Sequence, residues 1–188
     1  MRKLVVSTYM ALDGVIDNPM WTFPYWSDEI AAFQYKDLFE SDILLLGRET
    51  YEGFVDAWSA RAGADEFADR INAMQKYVVT TTLKEVTWNS SIIRENVVEE
   101  LRKLKQQPGM NILKYGGGRL LTTLIQNHLL DELHLLVFPV AVGTGARLVP
   151  DGSEWNLKLV DTKTFDTGVV AMIYQPAPPA EEQAQANS

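Results

Sequence analysis

Cysteine is absent from the 188 residues, which excludes disulfides, thiolate metal sites, iron–sulfur clusters and a cysteine nucleophile together. Histidine is scarce: His128 falls near a helix end and His134 in a strand. With no acidic or cysteine pattern near them, no metal site is expected. Basic residues are outnumbered, 17 Lys and Arg against 25 Asp and Glu, giving a net charge of −8. That balance disfavours nucleic acid as a partner, because phosphate neutralisation needs clustered cations. No apolar run reaches the roughly eighteen residues of a membrane helix. The chain enters a strand-like segment at Lys3 without the charged, apolar and small-residue series of a secretory signal. The expectation is a cytoplasmic protein with no membrane partner.

What the chain does have is an apolar fraction of 46%, enough for the core of one domain. Lys3 to Thr8, Asp42 to Leu46 and Lys76 to Thr82 are short, β-branched and apolar, and read as buried strands. Ser27 caps a helix to about Glu40, and Ala64 to Met74 has helical spacing. Asn96 with Glu99 resembles a capping box. Val97, Val98, Leu101 and Leu104 then line one helical face until Pro108 and Gly109 stop it. A strand (Asn111 to Tyr115), three glycines and a helix bearing Leu120, Leu121, Leu124 and Ile125 follow. Asp131 to Val142 opens as a strand, and Leu157 to Phe165 with Val169 to Gln175 form a hairpin about Asp166-Thr167-Gly168. The fold class is therefore α/β: a mostly parallel sheet with helices on both faces and a C-terminal antiparallel hairpin. Residues 1–175 form the domain. From Pro176 the composition turns to Pro, Ala, Glu and Gln, and 176–188 read as a disordered tail.

Three strand ends carry groups suited to phosphate. Gly116, Gly117 and Gly118 permit close backbone approach, and the helix beginning at Arg119 and Leu120 brings free N–H groups and a positive dipole end. Gly47-Arg48-Glu49-Thr50 repeats the arrangement, with Gly47 opening the turn, Arg48 as a cation and Thr50 as a first-turn hydroxyl. Thr80, Thr81 and Thr82 end the next strand, with Lys84 just beyond. Ligands of α/β sheets gather at the carboxyl ends of strands, so these ends together fit one elongated anion.

Two of these segments, GRETYE and GGGRL, resemble the corresponding stretches of dihydrofolate reductases. Ser7 to Ile16 (STYMALDGVI) and Asp131 to Leu148 (DELHLLVFPVAVGTGARL) resemble segments of the riboflavin-biosynthesis reductase family, the RibD C-terminal domain, within that fold. The resemblance implies a three-layer dihydrofolate-reductase-like fold and an NADPH-dependent reductase similar to 5-amino-6-(5-phosphoribosylamino)uracil reductase. It further implies that Thr50 and the amides at Gly117, Gly118 and Arg119 hold the pyrophosphate. Arg48 and Thr80 to Thr82 would take the 2′-phosphate. Ala11 and the Asp13-Gly14 loop would border the nicotinamide, with Trp21, Tyr25 and Trp26 rimming the substrate cleft.

The chain departs from the family at instructive places. The inner-helix carboxylate of dihydrofolate reductases falls near Ala31. Asp28 and Glu29 read as a first-turn charge pair and Asp37 as a solvated residue. Val15 follows the Asp-Gly where riboflavin reductases carry a basic residue, and no His-x-Glu with Pro-Cys-x-x-Cys signals a fused zinc deaminase. The leading expectation is hydride transfer to a small heterocyclic, imine or carbonyl substrate, with Asp13 either a proton donor or a loop cap. A riboflavin or folate reductase with diverged loops and a non-catalytic NADPH-binding domain are the alternatives. Leu135, Val137, Phe138, Val169, Val170, Met172 and Ile173 offer more apolar surface than one sheet face needs, so a homodimer through these strands is expected.

Overall fold

The computed structural model describes residues 1–178. Eight strands form one sheet in the order β4-β3-β2-β5-β1-β6-β8-β7. The strands are β1 (Leu4–Ala11), β2 (Ser41–Gly47), β3 (Gln75–Val79), β4 (Ser90–Ile93), β5 (Asn111–Tyr115), β6 (Glu132–Phe138), β7 (Leu157–Thr164) and β8 (Val170–Pro176). The first six are parallel, whereas β8 runs antiparallel to β6 and β7 antiparallel to β8.

The helices are α1 (Asp28–Phe39), α2 (Arg48–Trp58), α3 (Glu66–Ala73), α4 (Val97–Gln106) and α5 (Gly118–Gln126). On one face Leu101 and Leu104 of α4 and Leu121 and Leu124 of α5 pack on Leu4, Val6, Ile112 and Leu133. On the other, Leu38 of α1, Tyr51 of α2 and Ile71 of α3 pack on Val5, Leu44, Leu46 and Leu113. Odd and even residues of one strand thus enter opposite cores, as the two-residue strand period requires. No helix among the described residues is long and apolar enough to cross a membrane.

The expected three-layer architecture and C-terminal hairpin are present, and local details differ. β3 ends at Val79, because the Thr80 hydroxyl accepts from the N–H groups of Thr82 and Leu83 and turns the chain. Asn96 makes no capping box: it adopts the left-handed region (φ 50) with no side-chain cap. Ser27 does cap α1, accepting from Ile30 N–H. Strand β4 and the 3-10 segment Pro19–Tyr25 were not evident from sequence. Pro176 ends β8 opposite Leu157 rather than opening a tail, and residues 179–188 of that tail lie outside the described residues. Asp37 is not solvated; it is 5% exposed, on the buried side of α1. Phe138 and Val169 are fully buried in a cluster with Ile30 of α1, so they belong to the chain's own core rather than to a free face.

Candidate functional site

Because β1 to β6 are parallel, Ala11, Gly47, Val79, Ile93, Tyr115 and Phe138 end on one edge of the sheet. The connections after β1 and β2 leave through α1 and α2 on one face, while the connection after β5 leaves through α5 on the other. Neighbouring strands whose chains depart to opposite faces open a crevice between them, where ligands of such sheets collect. Here it lies about the carboxyl end of β5, with β2 on one side and β1 on the other.

Two helices start at this crevice. Gly47 is the N-cap of α2 and Gly117 that of α5, and neither start has a side-chain cap. In contrast, Ser27 and Asp65 cap α1 and α3 through their side chains. The opening amides of α2 and α5 are therefore left for another acceptor. The two starts are close: a Cβ on Gly116 would stand 3.9 Å from the Thr50 hydroxyl. Gly116 and Gly118 have φ of 74 and 77, values that suit glycine. A Cβ at Gly117 would come within 2.5 Å of Ile16 Cδ1.

Beneath the turn lies Lys114, whose Nζ donates to the carbonyls of Tyr115, Gly116 and Gly117 at 3.2, 2.6 and 2.9 Å. Burial pushes its pKa down to about 7. The sequence offered one signal for this residue, a lysine directly after the apolar pair Ile112 and Leu113 in a strand.

The loop after β1 is fastened to the loop after β6. Leu12 N–H donates to Val140, Ile16 N–H to Ala146 and Leu148 N–H to Gly14. The Asp13 carboxylate accepts from the N–H groups of Val142 and Gly143 at 3.0 and 2.6 Å. These amides, Gly143 foremost, hold its pKa below the usual carboxylate range. Asp13 is thus ionised and engaged with backbone. Ala11 is fully buried at the end of β1.

Arg48 lies at the crevice but is shared between carboxylates, 3.2 Å from Glu52 and 3.4 Å from Glu49. Thr80 is buried and Thr81 and Thr82 are exposed. Arg94, at the end of β4, donates to the Lys84 carbonyl and so brings a second cation beside the threonine corner. Arg119 and Leu120 stand in the first turn of α5. A groove of about 330 Å³ between β3, β4 and α4, lined by Tyr77, Ile92, Arg94, Glu95 and Lys103, shares no residue with the glycine turn.

The aromatic residues assemble about Tyr9 and Phe138. Trp21 and Tyr25 meet Phe138 edge-on at 5.5 and 6.2 Å, and Trp26 meets Tyr9 at 6.0 Å. Trp26 remains 42% exposed. Below them is a polar row that sequence reading missed. The Tyr9 hydroxyl donates to Gln34 Oε1, whose amide nitrogen donates to Ser7. Burial first, then the Asp37 charge, raises the Tyr9 pKa above its ordinary value. His134 Nδ1 is bonded to Asp37. The second Asp37 oxygen and the Tyr115 hydroxyl are buried without a partner.

A parallel sheet with helices on both faces, an antiparallel terminal pair and a glycine turn at the switch point define the dihydrofolate-reductase-like class. Within it, residues 2–171 match the RibD C-terminal domain family, and the chain belongs to that family. Two uncharacterized Bacillus subtilis proteins are similar over nearly their whole length. YyaP is 32% identical, covering 92% of this chain and 94% of its own. YwjB is 28% identical, covering 89% and 95%. Among solved structures, a Shewanella sp. PV-4 protein provisionally assigned to riboflavin biosynthesis superposes with TM-score 0.69 at 17% identity, covering 94% of this chain and 99% of that one. The Thermotoga maritima diaminohydroxyphosphoribosylaminopyrimidine deaminase/5-amino-6-(5-phosphoribosylamino)uracil reductase gives 0.64 at 14% identity, with 94% of this chain covering 57% of that one. At these identities the superpositions show the shared fold.

Proposed function

We propose that the chain is an NADPH-dependent reductase acting on a small heterocyclic, imine or carbonyl substrate. The observation that carries this reading is the meeting of two glycine-started, uncapped helix N-termini at the switch point, with Thr50 beside Gly116. The amides of Gly117, Gly118 and Arg119 and the Thr50 hydroxyl would hold the pyrophosphate. Arg48, released from Glu49 and Glu52, would take the 2′-phosphate together with the Thr80 to Thr82 corner. Family membership supports reductase chemistry, and the T. maritima protein's reductase activity is the precedent for a pyrimidine-like substrate.

When bound, NADPH supplies the hydride; the protein's part is alignment and exclusion of water. Ala11 and the fastened loop around Asp13 would border the nicotinamide. Tyr9, Trp21, Tyr25 and Trp26, backed by the buried Phe138, would form the apolar wall against which a flat substrate rests. Asp13 is given no proton-donor role, since it is ionised and committed to two backbone amides. The direct test is NADPH oxidation across a panel of pyrimidine, pteridine, imine and carbonyl substrates. Turnover of one of them supports the reading, and saturable NADPH binding without any turnover favours a binding domain instead.

We also propose a homodimer through β8 and β7. Met172, Ile173 and Tyr174 are half-buried there, and Leu159 and Val160 are 46% and 51% exposed.

A further inference from the structure

Lys114 breaks the pattern of its strand. Ile112, on the same face of β5, is fully buried among leucines, and Val6 of β1 is the register partner of Lys114. An apolar side chain belongs at this position, yet a lysine occupies it with 2% exposure. Burying an ammonium costs several kcal/mol unless its donors are satisfied. Among the described residues no carboxylate answers it; three carbonyl oxygens of one turn do. An ammonium has three N–H donors, and all three are used on Tyr115, Gly116 and Gly117.

This arrangement dictates where the turn's amides point. Among the described residues there are no cis peptide bonds, so each N–H points opposite to the carbonyl of its own planar peptide unit. The Tyr115 carbonyl faces Lys114, and the Gly116 N–H of that unit points away, to the Ser7 carbonyl at 3.1 Å. The Gly116 and Gly117 carbonyls also face Lys114, so the N–H groups of Gly117 and Gly118 are directed away from it, out of the turn. A neutral amine has two donors and a lone pair, and would set that lone pair against one of the three oxygens. Three donors for three oxygens is what the charged form supplies.

We infer that Lys114 is a positioning residue of the anion subsite: its ammonium turns three carbonyls inward so that the Gly117 and Gly118 amides face a diphosphate, and its charge acts on that diphosphate from beneath. This rests on the dinucleotide reading above. It also couples binding to protonation, because an anion over the turn favours the charged lysine. Burial lowers the Lys114 pKa, and an anion over the turn would oppose that shift.

The test uses the full chain and its Lys114→Met and Lys114→Gln variants, titrated with NADPH and NADH, with thermal melting in parallel. Methionine matches the lysine stem but leaves three buried carbonyls without their donor, so Lys114→Met is expected to fold and to melt below the wild-type temperature. Its affinity for both dinucleotides is expected to fall at least about tenfold, by a common factor. Wild-type calorimetry with NADPH at pH 8, in two buffers of different ionisation enthalpy, is expected to show proton uptake that the methionine variant lacks. The 2′-phosphate, with a pKa of about 6, is already ionised there. Should Lys114→Met not fold, Lys114→Gln and the wild-type proton count decide. Unchanged affinity in a folded variant, or binding without proton uptake, overturns the inference while leaving the dinucleotide reading intact. A wild-type protein that binds neither dinucleotide overturns both.

Discussion

His134 Nδ1 lies 2.8 Å from Asp37 Oδ1, joining β6 to α1 across 97 residues of sequence. Both side chains are almost fully buried, and Glu132 approaches the other ring nitrogen at 3.3 Å. Burial by itself lowers the His134 pKa, but the hydrogen bond and charge of Asp37, then those of Glu132, outweigh it and the net shift is upward. A histidine whose folded pKa is raised contributes stability that is complete below its unfolded pKa of about 6.5 and is lost as pH rises through the folded value. His134→Gln is therefore expected to cost about 3 kcal/mol at pH 6, because the buried imidazolium beside Asp37 is replaced by a neutral amide. The cost shrinks toward pH 9, as pH rises through the folded value. Urea denaturation of both proteins at the two pH values measures this. A cost that is the same at both would show that the imidazole is not charged in the folded protein.

Under the proposed reading, Arg48 is the residue on which cofactor choice would turn. Arg48→Ala is expected to weaken NADPH by about 1.5 to 3 kcal/mol, the range for a hydrogen bond to a charged group, and to leave NADH nearly unchanged. The ion pair with Glu52 competes for the same guanidinium, so Glu52→Gln should tighten NADPH by about 0.5 kcal/mol, the scale of an exposed helical pair. Fluorescence titration of both cofactors separates these effects. Equal losses of NADPH and NADH in Arg48→Ala would make Arg48 structural and move attention to Lys84 and Arg94.

Much of the fold was legible because its signals are local. Apolar β-branched runs marked β1, β2 and β3, and the glycine turn announced the start of α5. Strand β4 was not legible, since Ser90–Ile93 has four residues and two of them are serine. Asn96 carried the composition of a capping box, but its left-handed backbone leaves the cap unmade. Asp37 was misread because helix position alone does not reveal a partner 97 residues away. Lys114 escaped for a related reason: its three acceptors are backbone carbonyls, and backbone leaves no trace in composition.

The face beyond β6 yields a prediction about assembly. Leu159 and Val160 lie on β7, at the sheet edge, where a bulge falls between Leu159 and Asp161. If this surface is the dimer contact, the wild-type protein scatters light with the mass of two chains at micromolar concentration. Val160→Glu would then scatter as one chain, with its melting curve little changed apart from its concentration dependence. A wild-type protein already measuring as one chain removes the proposal.

The glycine turn allows two explanations for Gly117 that a double substitution separates. A side chain there would obstruct backbone approach to a pyrophosphate, and it would also strike Ile16, whose Cδ1 would stand 2.5 Å from the new Cβ. Gly117→Ala should lower NADPH and NADH affinity together, because both cofactors share the pyrophosphate. Ile16→Ala removes the atoms in the way, so the Gly117→Ala/Ile16→Ala protein isolates the ligand's own requirement. Recovery to the affinity of Ile16→Ala alone would assign the glycine to packing of the first loop. With backbone approach as the cause, the double variant is expected to stay about tenfold weaker than Ile16→Ala, a coupling of about 1.4 kcal/mol. Thermal melting of all four proteins checks the other half of the argument. The clash with Ile16 predicts that Gly117→Ala melts below wild type and that Ile16→Ala relieves part of the loss.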